Sequence, residues 1–420
     1  MLARCVVVAD ALHVVEVLAT STGGIGTHVH GLAAGLVERG ITVTVAGPQA
    51  TEDSFGFTSV GAAFEPVEIA TRPHPRADLE AIRGLRSLIS ALATGPPGRD
   101  SGTADLDHEA VPLVVHAHGL RAGLVAGLAT RSPIRVRRSR HRAQRPRGLR
   151  RRGSIRRPGH PPLVVTWHNA VLGRGPARFV LAGLEGAVAR MADVTLGASY
   201  DLVARARRMG AADARLGQVA APALTAAASS PDQVRADLGA GDRPLVLAVG
   251  RLAPQKAYDL LLEAATRWRA REPQPLVLIA GEGPQRPLLQ ARIDAGKLPV
   301  RLLGHRTDVP DLLAAADVVV LTSQWEARAL IAQEALQAGR PLVATAVGGV
   351  PDLVGDAAVL VPYGDPDALA QAVGNLLDNP EIAKRLSDAG RAQATSWADE
   401  PAVIDAVIAV YGELAGNARA

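Results

Sequence analysis

Residues 317–354 read DVVVLTSQWEARALIAQEALQAGRPLVATAVGGVPDLV, and the rest of the chain can be placed around this stretch. Asp317 to Ser323 is a short β-branched run that ends in small polar residues, which is typical of an inner parallel strand covered on both faces. Glu326 follows this strand. Because open α/β sheets bind ligands beyond the carboxyl ends of their strands, the pattern places Glu326 on the rim of a cleft.

A helix pattern that carries a second acid, Glu334, comes next. Gly339 can end this helix in the left-handed conformation, and Pro341 prevents its continuation, so Leu342 to Ala346 reads as the next strand. The spacing of the two acids favours, by itself, ordinary solvated helix charges. A functional interpretation therefore depends on the residues around them.

Those surrounding residues change the interpretation. SQWEARALIAQEALQAGRPLVATAVGGVPDLV closely resembles the glutamate-x7-glutamate signature of family-4 retaining glycosyltransferases of the GT-B fold. The resemblance implies that Glu326 faces the sugar of a nucleotide-sugar donor and that Glu334 accepts hydrogen bonds from its ribose. The sequence departs from the family where glycine, phenylalanine and glycine usually follow the first acid; here the residues are Ala327, Arg328 and Ala329.

Length and composition set the outer limits. A chain of 420 residues with 48% hydrophobic content can form two domains with separate cores and is not disordered. The single Cys5 cannot form an internal disulfide, and no Cys/His cluster has zinc-ligand spacing, so we expect no structural metal. Polar residues interrupt the apolar stretch before Ser21, so neither a signal peptide nor a membrane span is predicted, and a cytoplasmic location follows by default.

One arginine-rich stretch, residues 131–160, dominates the net charge of +5. It holds 13 arginines, no acid and no apolar periodicity, which predicts a disordered insertion with no specific role. A weak contact with anionic lipid or a polyanionic glycan is the next interpretation. Nucleic-acid binding is disfavoured because no aromatic residues lie between the arginines to stack on bases. A sequencing error is the last interpretation, since a GC-rich gene read out of frame would give a similar composition. The rest of the chain has 33 basic and 41 acidic residues, so no nucleic-acid surface is indicated.

The first half alternates strand and helix patterns around a glycine turn. His13 to Ala19 reads as a strand, TSTGGIGTH as the turn, and a helix follows that stops at Gly40, before a strand at Ile41 to Gly47. Glycines let backbone N–H groups approach an anion at a helix N-terminus. GGIGTH suits a dinucleotide enzyme about as well, although no acid is clearly placed to hold a ribose. The resemblance implies that Gly24 and Gly26 contact the donor diphosphate.

Polar residues also end two further strand patterns. LVVHAH, Leu113 to His118, is an apolar strand whose terminal histidine would more often be structural. The resemblance to the family's strand-end histidine favours a sugar-pocket role for His118, with His116 pointing the opposite way or lying deeper. Leu163 to Thr166 reads as the next strand. The residues at its tip fit either an acceptor pocket or plain packing; they are Trp167, His168 and Asn169.

The second half repeats the alternation after a predicted linker at 221–243. Pro244 to Gly250 reads as a strand, and Arg251 and Lys256 follow it before a helix, an arrangement that suits a diphosphate. Charges near loops are mostly solvated, but the segment resembles the family's glycine-arginine and lysine pair. Two further strand ends would border the nucleotide base, at Glu282 and His305.

The expected architecture is α/β, with two Rossmann-like domains facing each other across a GT-B cleft. Residues 1–222 would form the acceptor-side domain, 223–395 the nucleotide-sugar domain, and 396–420 a helix crossing back to the first domain. The implied reaction is retaining, metal-independent and cofactor-independent transfer from a nucleotide diphosphate sugar to an unknown sugar, lipid or small-molecule acceptor. Peripheral contact with a membrane is an open alternative to a purely cytoplasmic location. The expected catalytic residues are His118, Glu326, Arg251 and Lys256.

Alternatives remain at the residue level and at the functional level. The Arg328 guanidinium could add donors to the diphosphate or to an anionic acceptor, or its stem could cover the apolar rim. A GT-B-fold epimerase or phosphorylase is one rival, although neither Lys297 nor Lys384 has the setting of a pyridoxal phosphate lysine. A nucleotide-sugar-binding or polyanion-binding protein without turnover is the rival from another class.

Overall fold

The structure is a computed structural model that describes residues 12–21, 23–71, 74–94, 111–131, 160–170, 177–220 and 224–419. The chain forms two compact units. The first comprises residues 1–219 and 400–420, and the second comprises residues 220–399. The predictions about Cys5 and most of the arginine-rich stretch (132–159) concern residues outside the described ranges.

The first unit is built on a seven-stranded parallel sheet. Its strand order is β3-β2-β1-β4-β5-β6-β7. The strands are β1 (His13–Leu18), β2 (Thr42–Gly47), β3 (Ala63–Pro66), β4 (Leu113–His118), β5 (Leu163–Trp167), β6 (Val194–Gly197) and β7 (Ala214–Leu216). The helices between them are α1 (Gly24–Glu38), α2 (Gln49–Phe55), α3 (Pro75–Thr94), α4 (Gly119–Thr130), α5 (Ala177–Met191) and α6 (Tyr200–Met209).

The second unit is built on a six-stranded parallel sheet with apolar cores on both faces. Its strand order is β10-β9-β8-β11-β12-β13. The strands are β8 (Leu245–Val249), β9 (Leu276–Ala280), β10 (Val300–Gly304), β11 (Val318–Leu321), β12 (Leu342–Thr345) and β13 (Val359–Val361). The helices are α7 (Pro231–Asp237), α8 (Tyr258–Arg267), α9 (Arg286–Gly296), α10 (Val309–Ala315), α11 (Leu330–Gln337), α12 (Val350–Val354), α13 (Pro366–Asp378) and α14 (Pro380–Thr395).

The last helix, α15 (Glu400–Arg419), belongs to the first unit. Its apolar side packs into the core formed by β1, α1 and β2, where Ile404 and Tyr411 are buried. Arg39 at the end of α1 also pairs with Asp405 at 2.8 Å. This helix therefore closes the first unit with residues from the far end of the chain.

The predicted linker at 221–243 is wrong over much of its length. The short helix expected there is present as α7, but Val234 and Leu238 are buried in the core of the second unit. These two residues are four positions apart and so lie on one face of the helix. A stretch rich in Ala, Ser, Gly and Asp concealed this small apolar face, and most of the segment is part of the folded second unit.

Candidate functional site

Each sheet has one point where the strand order reverses. In the first sheet this lies between β1 and β4, and in the second between β8 and β11. Connections leave such a pair of strands in opposite directions, and ligands bind in the crevice at their carboxyl ends. His118 is the last residue of β4, Arg251 follows β8, and Glu326 follows β11. These three sequence-predicted residues therefore lie at the two switch points.

Glu326 is held by two donors at the switch point of the second unit. Lys256 Nζ lies 2.7 Å from Glu326 Oε1, and the Ser323 hydroxyl donates to the same oxygen at 2.7 Å. The Thr322 hydroxyl donates to the Lys256 carbonyl at 2.8 Å, which ties the loop after β8 to the end of β11. The side chains of Lys256 and Glu326 remain 20% and 12% exposed. A cation and a carboxylate thus share one partly open site.

A glycine turn after β12 fixes the backbone that carries Glu326. Gly348 has a φ of +54°, and a Cβ there would lie 2.1 Å from the Glu326 carbonyl oxygen. The next N–H, that of Gly349, donates to the same carbonyl at 2.8 Å. Only glycine combines this left-handed backbone with so close an approach. The VGGV segment in the sequence therefore positions the first acid.

The second acid, Glu334, lies on α11 and is half-buried. Burial raises the pKa of its carboxyl above the ordinary value. Within the described part of the chain, no hydrogen bond or ion pair engages this carboxylate. No protein donor among the described residues satisfies this half-buried carboxylate, so it is available to a ligand that brings hydrogen-bond donors.

Arg328 is engaged with its own unit. Its Nε donates to Gln333 Oε1 at 3.0 Å, and its guanidinium carbon lies 5.6 Å from the centre of the Trp397 ring. Burial lowers the pKa of Arg328 to about 10, which leaves it charged at neutral pH. These contacts agree with the alternative in which Arg328 covers the rim, and a role toward donor or acceptor stays a prediction.

The remaining predicted residues of the second unit are exposed. Arg251 projects from the loop after β8, and His305 follows β10. Glu282 follows β9 and pairs with Arg286 at 2.7 Å. All three lie at the carboxyl edge of the sheet, as the parallel topology requires, but neither Glu282 nor His305 joins the pair of Lys256 and Glu326. Their proposed place beside a nucleotide base stays a prediction.

The two predicted glycines of the first unit differ in their surroundings. Gly24 is exposed and is the first residue of α1. Gly26 is buried, and a Cβ there would lie 2.2 Å from the Phe55 ring. Packing against Phe55 is therefore sufficient to explain Gly26. Gly24 lies at a helix N-terminus, and its contact with a donor diphosphate stays a prediction.

A buried hydrogen-bond network lies at the switch point of the first unit. His118 Nε2 lies 2.7 Å from Glu16 Oε2, and the Tyr411 hydroxyl donates to Glu16 Oε1 at 2.9 Å. The oxygen of Tyr411 then accepts from His116 Nδ1 at 2.6 Å. His116 Nε2 lies 2.7 Å from the Thr166 hydroxyl, which donates to it. The network joins β1, β4, β5 and α15.

The environment of this network determines its charges. Burial raises the pKa of Glu16, but His116 and His118 together lower it below the ordinary range. Burial lowers the pKa of His118 to about 4 and that of His28 to about 3, and neighbouring histidines add to both effects. An ionised Glu16 therefore accepts from a neutral His118 at neutral pH, which leaves the lone pair of His118 on Nδ1.

One sequence expectation about this network is wrong. His116 does not point away from His118: their ring centres are 4.2 Å apart. Residues two apart in a strand share a face, so the alternation rule itself excludes the opposite direction. The alternative that His116 lies deeper is correct, because it pairs in register with Glu16 while His118 pairs with Leu18.

The two residues at the tip of β5 have different surroundings: Trp167 is packed, and His168 is hydrogen-bonded to the buried network. Trp167 is buried at 3% exposure. His168 Nε2 lies 3.1 Å from His118 Nδ1, so His168 extends the network. Sequence reasoning missed Glu16, Tyr411 and His28. An acid inside an apolar strand was the available signal for Glu16, whereas Tyr411 is 395 positions from its partner and gave none.

Each of the two units matches a known protein family. Residues 231–393 match the family described as "Glycosyl transferases group 1", and residues 23–222 match "Glycosyl transferase 4-like domain". Residues 231–393 belong to the group 1 glycosyltransferases. The resemblance carried by Glu326 and Glu334 is therefore confirmed at the level of the family.

Curated relatives of this group 1 glycosyltransferase match it over part of its length. It is 33% identical over 190 residues to the alpha-D-kanosaminyltransferase of Streptomyces kanamyceticus, covering 43% of this chain and 49% of that protein. It is 38% identical over 172 residues to the glycogen synthase of Mycobacterium tuberculosis, covering 40% of this chain and 42% of that protein. The chain thus spans less than half the length of these relatives.

Solved structures match nearly the whole glycosyltransferase chain. HepE from Anabaena, in complex with UDP, aligns with a TM-score of 0.71 at 17% identity and covers 96% of this chain and 100% of that one. The sucrose-phosphate synthase of Thermosynechococcus elongatus aligns with a TM-score of 0.68 at 19% identity, covering 96% and 100%. These likenesses confirm the expected fold class, with two Rossmann-like domains of the GT-B type. None of the helices in the described ranges has the length and apolar character needed to cross a membrane.

Proposed function

We propose that this chain transfers a sugar from a nucleotide diphosphate sugar to an acceptor, with retention of anomeric configuration and without a metal ion. The observation that carries the proposal is the contact of Lys256 with Glu326 at the switch point of the second unit, together with the half-buried Glu334, which has no protein partner in the described part of the chain. A sugar nucleotide carries groups complementary to each residue: phosphates for the cation, and sugar and ribose hydroxyls for the carboxylates.

The charges suit departure of a diphosphate. When the bond between the anomeric carbon and the phosphate oxygen breaks, negative charge grows on the leaving group, and preorganised cations stabilise it. Lys256 has three N–H donors, so one can hold Glu326 while the others contact phosphate oxygens. Exposed Arg251, from the same loop, adds a second cation. His118 is assigned to the sugar by the family resemblance, and the same proposal includes it.

The nature of the donor rests on the relatives. HepE has been crystallised with UDP and with UDP-glucose, and several curated relatives are named glycosyltransferases. These names support a nucleotide sugar as the donor class for this chain. The base, the sugar and the acceptor are left open, and the cytoplasmic location expected from the sequence stays a prediction.

Ligand stabilisation followed by product analysis tests the proposal. The protein is screened by thermal shift against UDP-, GDP- and ADP-sugars, because a ligand at one hundred times its Kd stabilises the fold by about 2.7 kcal/mol. The preferred donor is then incubated with a panel of sugars, and the anomeric configuration of the product is read by NMR. We expect a product of retained anomeric configuration, formed at a rate that EDTA does not lower.

A matched pair of variants makes the test specific. Glu326→Gln removes the carboxylate that Lys256 contacts, whereas Glu381→Gln changes an exposed acid on α14. Turnover should fall by about 100-fold or more in the first, a typical loss for a transition-state contact, and stay unchanged in the second. Donor binding without transfer or hydrolysis would indicate a binding protein, an epimerised sugar would indicate an epimerase, and an inverted product would contradict retention.

A further inference from the structure

Three histidines converge at the carboxyl edge of the first sheet. His28 comes from α1, His118 ends β4, and His168 follows β5. The ring centre of His28 lies 5.8 Å from that of His118 and 5.2 Å from that of His168. The ring centres of His118 and His168 are 5.4 Å apart. One ring nitrogen from each histidine lies within 4.8 Å of the other two. Three nitrogen donors are thus gathered from three separate elements.

Glu16 sets the tautomer that such a group requires. Its carboxylate can only accept, so the His118 Nε2 at 2.7 Å must carry the proton. The lone pair of neutral His118 is then on Nδ1, which lies 3.1 Å from His168 Nε2 and faces the group. Histidines that bind metals characteristically donate their other N–H to a carboxylate, which fixes the ring and raises its basicity. Glu16 is such a carboxylate for His118, because it accepts the hydrogen bond from His118 Nε2.

The spacing suits an ion that imidazole prefers. Zn²⁺ binds histidine nitrogens at about 2.0–2.1 Å in tetrahedral geometry, so its nitrogen ligands are about 3.4 Å apart. His118 and His168 are already close to this separation, and a ring nitrogen of His28 lies within 4.8 Å of both. Mg²⁺ and Ca²⁺ prefer oxygen ligands and do not fit a group of imidazoles.

A second cluster of possible ligands fits less well. Glu16, His116 and His118 also lie close together. His116, however, uses both ring nitrogens in bonds to Tyr411 and Thr166, so a metal would have to break two buried hydrogen bonds. The group with His28 requires only that neutral His168 move its proton from Nε2 to Nδ1, with no net change of charge.

We propose that His28, His118 and His168 form a binding site for Zn²⁺ or a similar divalent transition metal ion, with Glu16 orienting His118. Three protein ligands leave the fourth position to water or an anion. The metal is not assigned to catalysis. If His118 contacts the donor sugar, which rests on the function proposed above, the bound ion withdraws its Nδ1 from substrate and inhibits transfer.

The test begins with metal binding alone, on tag-free full-length protein. Zn²⁺ affinity is measured by calorimetry, and Co²⁺ is added as a probe because its visible absorption bands report coordination geometry. His28→Ala removes one ligand, and His30→Ala is the control because it is a half-buried histidine two positions away on the same helix. We expect the wild-type chain to bind one ion and to give the Co²⁺ absorption bands of a four-coordinate site. The Zn²⁺ affinity should be at least about tenfold weaker in His28→Ala and unchanged in His30→Ala.

Other outcomes overturn the site. Equal Zn²⁺ affinity in wild type and His28→Ala, or Co²⁺ bands of an octahedral ion in the wild type, would place the metal on histidines elsewhere in the chain. A second arm measures inhibition of donor turnover, which should require more Zn²⁺ in His28→Ala than in His30→Ala. Absence of turnover in every variant would refute the proposed function only, because the binding experiment uses neither donor nor acceptor.

Discussion

The two switch points hold their polar groups in opposite ways. In the first unit, Glu16 is fully buried and each carboxylate oxygen accepts from a protein donor, His118 or Tyr411. In the second unit, Glu326 is 12% exposed and its partner Lys256 is 20% exposed, and Glu334 has no protein partner among the described residues. Removing a buried partner leaves donors unsatisfied, whereas removing a partly exposed one is compensated by water. The first site therefore contributes to stability, and we expect the second to bind a ligand.

The largest effect is expected from Glu16→Ala. It leaves the Tyr411 hydroxyl and the His118 N–H without their acceptor, and breaking a buried charged network costs about 3–5 kcal/mol. Hydrogen exchange of β1 and β4 amides in increasing urea measures the stability of the first unit by itself. Glu326→Ala is the counterpart at the other switch point and is read at the β8 and β11 amides of the second unit; an equal loss of protection by each variant in its own unit would break the comparison.

Lys256→Ala should have the converse effect. Loss of a cation that stabilises the departing diphosphate lowers kcat/KM by about 100-fold, equivalent to about 2.7 kcal/mol, while the free energy of unfolding changes by less than about 1 kcal/mol. Lys384→Ala is the matched control, since Lys384 also pairs with an acid but is 77% exposed on α14. Parallel losses of activity and stability in Lys256→Ala would make this lysine structural.

Tyr411→Phe tests whether α15 contributes to the buried network. The variant removes the O–H that donates to ionised Glu16, and such hydrogen bonds contribute about 1.5–3 kcal/mol. The exposed tyrosine of the same unit provides the control, Tyr200→Phe. We expect β4 amides to lose protection in Tyr411→Phe alone. Unchanged exchange in both variants would show that apolar packing of the ring is sufficient.

The same contrast explains how much of the site could be read from the sequence. Glu326 and Glu334 lie in one continuous strand–turn–helix segment, where the strand pattern, Gly339 and Pro341 place them without knowledge of distant contacts. The alternating strand and helix patterns likewise predicted two parallel sheets, to within a few residues at most strand ends.

The buried network could not be found in this way. Its members come from β1, β4, β5 and α15, and the bond between Tyr411 and Glu16 spans 395 positions. Only the register of β1 against β4 brings Glu16 beside His116. The contacts of Arg328 also depended on tertiary packing, because Trp397 is remote in sequence. Long-range pairing, rather than local propensity, assembles these groups.

Glu334→Gln separates ligand binding from stability at one residue. A hydrogen bond to the ionised carboxylate contributes about 1.5 kcal/mol or more, so donor affinity should fall about tenfold. The pKa of this carboxyl is raised by burial, so the folded state binds a proton more readily than the unfolded chain. Ionised Glu334 therefore lowers stability above its folded-state pKa, and this loss disappears as the pH falls below the ordinary value of 4.5.

Thermal melts and calorimetry across pH measure both consequences. We expect Glu334→Gln to have a slightly higher Tm than wild type at pH 7 and the same Tm at pH 4, with weaker donor binding at pH 7. Glu381→Gln, at an exposed position, should change neither quantity. Unchanged donor affinity in Glu334→Gln would remove this residue from the site, and a lower Tm at pH 7 would contradict the effect of burial.

The smallest effect is expected at Arg328, where the chain departs from its family. Its guanidinium stacks over Trp397 and donates to Gln333, so Arg328→Ala should lower the free energy of unfolding by about 0.5–1 kcal/mol. Because these contacts already occupy the side chain, donor KM, acceptor KM and kcat should each change by less than about threefold, or about 0.7 kcal/mol. Arg328→Met retains an apolar side chain against the tryptophan and should recover part of the stability. A rise of donor KM by about tenfold in both variants would instead assign the guanidinium to the diphosphate, and a similar rise of acceptor KM would assign it to an anionic acceptor.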